Sequence, residues 1–264
     1  MFPTFELSDP RFEVDGLRWV TVKSPSLGGR ADITLFVPSE VQGKENVPIV
    51  LLLHGVYGSH WTWALKGGAH RTTQRMIREG QLPPMVLAMP SDGLWGDGSG
   101  YVPHLSQDYE KWIVEEVPAA VQQAVPETSQ KSPRFLTGLS MGGFGALRIT
   151  GKHPTRFQAA SGHSSATEAS QFLRFSNQIQ THWSNAPFDQ SVLEALKQGA
   201  GQLPPVRFDC GTEDLLLEAN RELHCGLQAA GVPHEYSEFP GGHTWDYWER
   251  HLEDSLRFFA KHLG

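Results

Sequence analysis

The stretch TGLSMGGFGA, Thr137 to Ala146, sets one hydroxyl, that of Ser140, between glycines immediately after the short apolar run Arg134-Phe135-Leu136. Gly138-Leu139-Ser140-Met141-Gly142 fits the pattern G-x-S-x-G, with an apolar run before it and helical spacing of apolar residues after it. A strand that turns sharply into a helix holds the serine in a strained conformation, so positions 138 and 142 must carry no side chain that collides with the turn. Other glycine-rich readings fail on residues. A phosphate loop needs Lys followed by Ser or Thr after the glycines, and none follows; a dinucleotide fingerprint begun at Gly143 meets Arg148 where a glycine is required.

Working outward, the same grammar of apolar run, polar loop and helix-like stretch repeats along the chain. Arg18 to Lys23 and Asp32 to Val37 read as an antiparallel pair around Ser26 to Gly29, and Ile49 to Leu53 as a buried strand. Met85 to Met89, Phe135 to Leu139, Phe157 to Ser161, Val206 to Cys210 and Glu235 to Phe239 continue the series. Asp108 to Val125, Met141 to Lys152, Leu216 to Ala230 and Trp245 to Leu263 carry helical periodicity. This order predicts one α/β domain over residues 1–264, with a mostly parallel central sheet and helices on both faces. Residues 164–202 exceed an ordinary connection and are read as a small insertion over the carboxyl end of the sheet. Ligands of such sheets bind outside the carboxyl ends of the strands, so the loops there are searched for chemistry.

A serine hydroxyl attacks only when a base takes its proton and a carboxylate orients that base. Phe208-Asp209-Cys210-Gly211-Thr212-Glu213-Asp214 leaves a strand with three carboxylates, of which Asp209 belongs to the strand, Glu213 falls one step short, and Asp214 is best placed. The competing job for Asp214 is a helix N-cap. His243, in Pro240-Gly241-Gly242-His243, follows the last strand and is the candidate base. The turn Leu53-His54-Gly55-Val56-Tyr57-Gly58 can present a backbone amide. Val56 N–H and Met141 N–H, the latter at a helix N-terminus, are the candidate oxyanion donors, with His54 read as structural. Trp61, Trp95, Tyr101 and Trp183 are candidate pocket residues; Trp63, Phe172 and Phe175 lie in the same loops, and tryptophan is as often core as pocket.

Composition narrows the partners. Lys and Arg number 22 against 29 Asp and Glu, a formal charge of −7, and no basic stripe exists to neutralise phosphates, so nucleic acid is not expected. No apolar run approaches the roughly 20 residues that span a bilayer. Asp9, Glu6 and Pro3 interrupt any secretory pattern at the N-terminus, and the two cysteines, Cys210 and Cys225, suit free thiols in a reduced, cytoplasmic setting. The 12 histidines form no HExxH or similar pair, so neither metal nor cofactor is expected. A homo-oligomer is compatible with the sequence.

With these motifs in place, the chain resembles the esterase D-like, or tributyrin esterase, branch of the α/β-hydrolases, which includes S-formylglutathione hydrolases, feruloyl and acetylxylan esterases and mycolyltransferases. The resemblance runs from about Thr34 to about Leu256. Leu53-His54-Gly55 with Gly58 and Trp61, Asp108-Tyr109 ahead of Glu115-Glu116-Val117-Pro118, the elbow at Ser140, Cys210 to Asp214, and Gly242 to Trp248 carry it. It implies an α/β-hydrolase fold and a triad of Ser140, Asp214 and His243. The expected activity is a serine carboxylesterase that cleaves short acyl or aryl esters through an acyl-enzyme. An S-formylglutathione-type thioesterase, or a feruloyl or acetylxylan esterase, would use the same residues, and an acyltransferase would further have to exclude water. A hydrolase-fold binding module would be marked by a missing triad member, and none is missing.

Overall fold

The computed structural model describes residues 2–94, 96–177 and 183–263. Nine strands form one sheet: β1 (Phe5–Leu7), β2 (Leu17–Ser24), β3 (Gly29–Phe36), β4 (Ile49–Leu53), β5 (Val86–Pro90), β6 (Arg134–Leu139), β7 (Ala159–His163), β8 (Val206–Gly211) and β9 (Glu235–Phe239). Their spatial order is β1-β2-β3-β5-β4-β6-β7-β8-β9, antiparallel from β1 through β3 to β5 and parallel from β5 to β9. The expected hairpin is β2 and β3, paired from Leu17↔Phe36 to Ser24↔Gly29. Its turn is pinned by the Glu116 carboxylate, which accepts the Ser24 and Ser26 hydroxyls and the Ser26 N–H.

The helices are α1 (Thr62–Leu65), α2 (Ala69–Arg78), α3 (Tyr109–Lys111), α4 (Val117–Ala124), α5 (Met141–Lys152), α6 (Pro187–Gln190), α7 (Val192–Gly199), α8 (Leu217–Ala229) and α9 (Trp245–Lys261). A π turn over Trp112–Glu116 joins α3 to α4, where the periodicity predicts one unbroken helix. The break lets the Trp112 indole N–H reach the Ser91 carbonyl at 2.8 Å. Helix α2 was not expected from the sequence; its buried stripe of Ala69, Thr73, Met76 and Ile77 is short and mixed with polar residues. Strand β1 was also unexpected, being three residues long at the sheet edge.

Why β4 reads as five consecutive apolar residues is clear from its two faces. Ile49, Leu51 and Leu53 enter the core beneath α4, α5 and α8, while Val50 and Leu52 enter the core beneath α2 and α9. A strand covered on both sides has no polar face to display. The order β5-β4-β6 makes the chain reverse direction beside β4, and at such a point the loops after adjacent strands part to leave a crevice. The loops after β4 and β6 carry Val56 and Ser140.

The segment 164–202 divides: Phe175 reaches the cavity over Ser140, as a covering insertion would, whereas the rest packs on the body of the domain. Ala166, Ala169, Phe172, Trp183, Val192 and Leu196 all join the main core, and α6 and α7 lie along α5 rather than over the carboxyl end of the sheet. The candidate helix over Glu168 to Gln180 is a 3-10 turn, Ala169–Arg174, and residues 178–180 lie outside the described residues. What ties α6 to α5 is a buried charge cluster. Arg148, with no exposed surface, donates to Glu110 at 2.6 Å, Asp189 at 2.8 Å and the Tyr101 carbonyl; Lys152 completes the charge balance, and His153 Nε2 lies 2.8 Å from the second Glu110 oxygen.

Burial alone would raise the Glu110 carboxyl, but His153, Arg148 and Lys152 outweigh it and hold Glu110 well below its ordinary value of 4.5. A carboxyl depressed in the folded state stabilises the fold fully above its unfolded pKa, and that contribution is lost as pH falls through the lower folded value. Acid unfolding should therefore accelerate below pH 4.5. Arg148→Met, which removes the buried one of the two cations that Glu110 and Asp189 share and leaves them Lys152 alone, should cost about 3 kcal/mol, read from the urea midpoint at neutral pH. It should also flatten the acid limb, because Glu110 then titrates nearer its ordinary value.

Candidate active site

Ser140 sits between β6 and α5 with φ 54° and ψ −115°, a left-handed backbone that a serine adopts only when its surroundings force it. The force is contact on both sides of the turn. A Cβ at Gly138 would lie 2.3 Å from the Gly142 backbone, and one at Gly142 would lie 2.2 Å from the Leu53 carbonyl oxygen. The two glycines of the motif are thus required by close approach of backbone to backbone. The Ser140 N–H donates to the His163 carbonyl at 2.9 Å, which fixes the elbow to the end of β7.

The elbow, the loop after β8 and the loop after β9 bring Ser140, Asp214 and His243 together. The Ser140 hydroxyl donates to His243 Nε2 at 3.0 Å, and His243 Nδ1 donates to Asp214 Oδ1 and Oδ2 at 3.0 and 2.9 Å. An ionised carboxylate only accepts, so the Asp214 contact places the imidazole proton on Nδ1 and leaves Nε2 free to accept. The Asp214 side chain is fully buried and also accepts the Leu216 N–H at 2.8 Å, so it serves the turn before α8 as well as the histidine. The helix N-cap weighed for it from the sequence is instead Leu216, so Asp214 orders only the turn that precedes the helix. Of the other two carboxylates, Glu213 is exposed, and Asp209 is consumed inside β8 by His163, Arg207 and Tyr247.

The turn after β4 is held on both flanks of Val56. The Gly58 N–H donates to the Gly55 carbonyl and the Tyr57 N–H to the Asp97 carbonyl, while the Tyr101 hydroxyl bridges the His54 N–H and carbonyl at 3.0 and 3.2 Å. Met141 is the first residue of α5, where amides lack intrahelical acceptors and the dipole favours negative charge.

A cavity of about 300 Å³ opens over Ser140 and His243. Its wall includes Tyr57, Trp61, Phe175, Trp245 and Trp248, with Lys66 as the charged side chain outside the Ser140–His243 pair. Phe175 stacks on the His243 ring at 6.0 Å between centroids, and Trp248 meets the same ring edge-on at 4.9 Å. Of the four expected pocket residues, Trp61 lines the cavity. Tyr101 does not: it is wholly buried beneath the turn it braces, and burial pushes its phenol well above the ordinary value. Trp183 does not either, packing instead against Phe172 and His104 in the core. Trp95 lies outside the described residues. Trp245 and Trp248 were not expected as pocket residues, although one signal pointed to them. They stand three apart at the start of the helix that follows His243, hence on the same side as the histidine.

Among the described residues no three or more His, Cys, Asp or Glu side chains are grouped to hold a metal ion, and no helix is long and apolar enough to cross a membrane. Both cysteines are free thiols, Cys210 buried and Cys225 exposed.

Strand order, elbow and facing loops define an α/β-hydrolase. A family model described as a putative esterase matches residues 24–259, and the chain belongs to that family; it is a carboxylic ester hydrolase. Among its relatives is an acetyl esterase of Caldicellulosiruptor saccharolyticus, 25% identical over 82% of this chain and 85% of that protein. A solved ferulic acid esterase superposes with a TM-score of 0.80 at 23% identity, covering 100% of both chains. The fluorophosphonate-binding serine hydrolase F of Staphylococcus aureus gives 0.76 at 22% identity, covering 92% of this chain and 97% of that one.

Replacing Gly142 by Ala should force the turn away from Leu53, with a loss of about 3 kcal/mol of stability or more and of most of the activity. Gly201→Ala, where an added Cβ meets nothing within 4 Å, is the control and should leave both unchanged. Thermal melts and initial rates of the two variants check this.

Proposed function

We propose that this esterase hydrolyses short-chain acyl, acetyl to butyryl, or aryl esters through an acyl-enzyme on Ser140. The observation that carries the reading is the linear contact Ser140 Oγ to His243 Nε2 to Asp214 at 3.0 and 2.9 Å, facing a small aromatic cavity. In the proposed mechanism His243 Nε2 takes the hydroxyl proton as Oγ attacks the ester carbonyl carbon, and Asp214 holds the tautomer and stabilises the imidazolium. The amides of Val56 and Met141 receive the developing oxyanion. The protonated His243 gives its proton to the departing alcohol oxygen. Water, deprotonated by the same nitrogen, then attacks the acyl-enzyme and releases the acid and the serine.

The size of the cavity supports the short-chain part of the reading. About 300 Å³ stands at the lower end of ligand pockets, and Trp61, Phe175, Trp245 and Trp248 are rigid walls against a long chain. Each methylene that fits adds about 0.8 kcal/mol of transfer free energy, so preference should climb over the first carbons and fall where a ring is met. The likeness to an acetyl esterase points the same way.

Ser140→Ala should abolish hydrolysis of p-nitrophenyl butyrate while the melting temperature stays near that of the wild type. Asp214→Asn should lower kcat by about ten-thousand-fold, as expected when the orienting acid no longer selects the tautomer. In a p-nitrophenyl series from acetate to palmitate, kcat/KM should peak at or before butyrate. A maximum at long chains would overturn the substrate assignment while leaving the serine mechanism intact.

A further inference from the structure

Among the described residues, Lys66 is the cationic side chain of the cavity wall, and it stands beside an ordered set of rings. It closes α1, its N–H bonded to the Thr62 carbonyl at 2.9 Å, and its Nζ stands 5.6 Å from the centre of the Trp245 ring. That ring can lie against the helix end because residue 67 is glycine: a Cβ there would come within 2.8 Å of Trp245 Cζ3. Trp245 is in turn held edge-on by Trp63 at 5.7 Å and by Trp248 at 5.3 Å, and Trp248 touches the His243 ring. A chain of aromatic contacts thus links the Trp245 ring, over which the exposed Lys66 ammonium stands, to the reacting centre.

The charge itself is unanswered. Among the described residues no carboxylate lies within ion-pair distance of Lys66, in a chain whose 29 acids outnumber its bases. On α2, α8 and α9 the cations Arg71, Arg75, Arg78, Arg221 and Arg257 are paired, while Lys66 shares its lack of an ion pair among the described residues with other surface cations such as Lys44, Lys111 and Lys261; what sets Lys66 apart is its place on the cavity wall. An unpaired ammonium on an aromatic face, beside a mostly apolar cavity that a substrate would dehydrate, attracts an anion more strongly than one in open solvent.

We infer that Lys66 selects esters bearing a carboxylate on one of their two arms. This deepens the esterase reading and rests on it; the ligand chemistry is an organic carboxylate, carried by either the acyl or the alcohol part. Two matched pairs separate the arms: mono-p-nitrophenyl glutarate against p-nitrophenyl valerate for the acyl side, and p-acetoxybenzoate against its methyl ester for the alcohol side.

The experiment compares wild type, Lys66→Met and Lys66→Arg, and reads the ratio of kcat/KM for the anionic ester to that for its neutral partner. Comparing ratios between variants cancels the intrinsic reactivity of each ester. In one of the two arms Lys66→Met should lower the ratio about five- to tenfold, Lys66→Arg should restore it, and the wild-type ratio should decline with added salt whereas that of Lys66→Met should not. Binding of p-nitrobenzoate to the Ser140→Ala protein, followed by quenching of tryptophan fluorescence, should weaken by a similar factor in the Ser140→Ala, Lys66→Met double variant. That readout needs no turnover, so it tests Lys66 even if the Ser140 mechanism fails. Failure of the esterase reading would instead show as neutral-ester hydrolysis surviving in Ser140→Ala. Ratios unchanged by Lys66→Met in both arms, or equal losses on the charged and neutral esters, overturn the inference.

Discussion

Everything at the site depends on the contact between Gly142 and the end of β4. Because a Cβ at position 142 would fall 2.2 Å from the Leu53 carbonyl, the first turn of α5 can be drawn against the neighbouring strand until the backbones touch. That contact sets Met141, at the start of α5, beside the loop that carries Val56, and it forces Ser140 into its positive-φ conformation with the hydroxyl outward. The helix is then anchored farther along by Arg148, whose ion pairs with Glu110 and Asp189 tie its other half to α3 and α6. The strained residue is held from both ends of the same helix.

A second constraint fixes the two loops that face the elbow. Beneath them, Asp209 of β8 meets His163 of β7 at 3.0 Å, Arg207 at 2.9 Å and the Tyr247 hydroxyl of α9 at 2.9 Å, while Ser255 of α9 bonds His163 Nε2 at 2.8 Å. The carbonyl of that same His163 accepts the Ser140 N–H, Asp214 lies five residues beyond Asp209, and His243 lies just before α9. One buried network therefore joins the strand end to which the Ser140 elbow is bonded, the strand that leads to Asp214 and the helix that follows His243. Burial would raise the Asp209 carboxyl, but His163 and Arg207 hold it below its ordinary value, so the network keeps its charge. Buried ionic groups of this kind add little net stability, yet they penalise any packing in which a partner is lost.

The elbow was legible because its chemistry is local. Gly138, Ser140 and Gly142 are neighbours in sequence, and a strand-to-helix turn explains their spacing without reference to the rest of the fold. Asp214 and His243 were legible for a related reason: each follows an apolar run, and the fold class dictates which end of the sheet those runs present. The hairpin β2–β3 and the helices α5, α8 and α9 followed from periodicity, which reports burial of one face.

Periodicity is silent about which buried face a ring joins, and there the reading from sequence went astray. Tyr101 and Trp183 sit in loops that lead toward the site, but their rings turn inward, one to brace the His54 backbone and the other to fill space against Phe172. Segment 164–202 reads as a covering insertion, which holds for Phe175 at the cavity but not for α7, which finds its apolar partner along α5. Sequence alone determined the order of strands β2 to β9 and of helices α5, α8 and α9, the strained serine and its chain-order partners, because these depend on neighbouring residues and on the period of the pattern. Only the tertiary structure decided which aromatic rings form the cavity and where Lys66 stands. Those outcomes depend on contacts between residues such as Gly67 and Trp245, 178 positions apart, whose meeting no local pattern encodes.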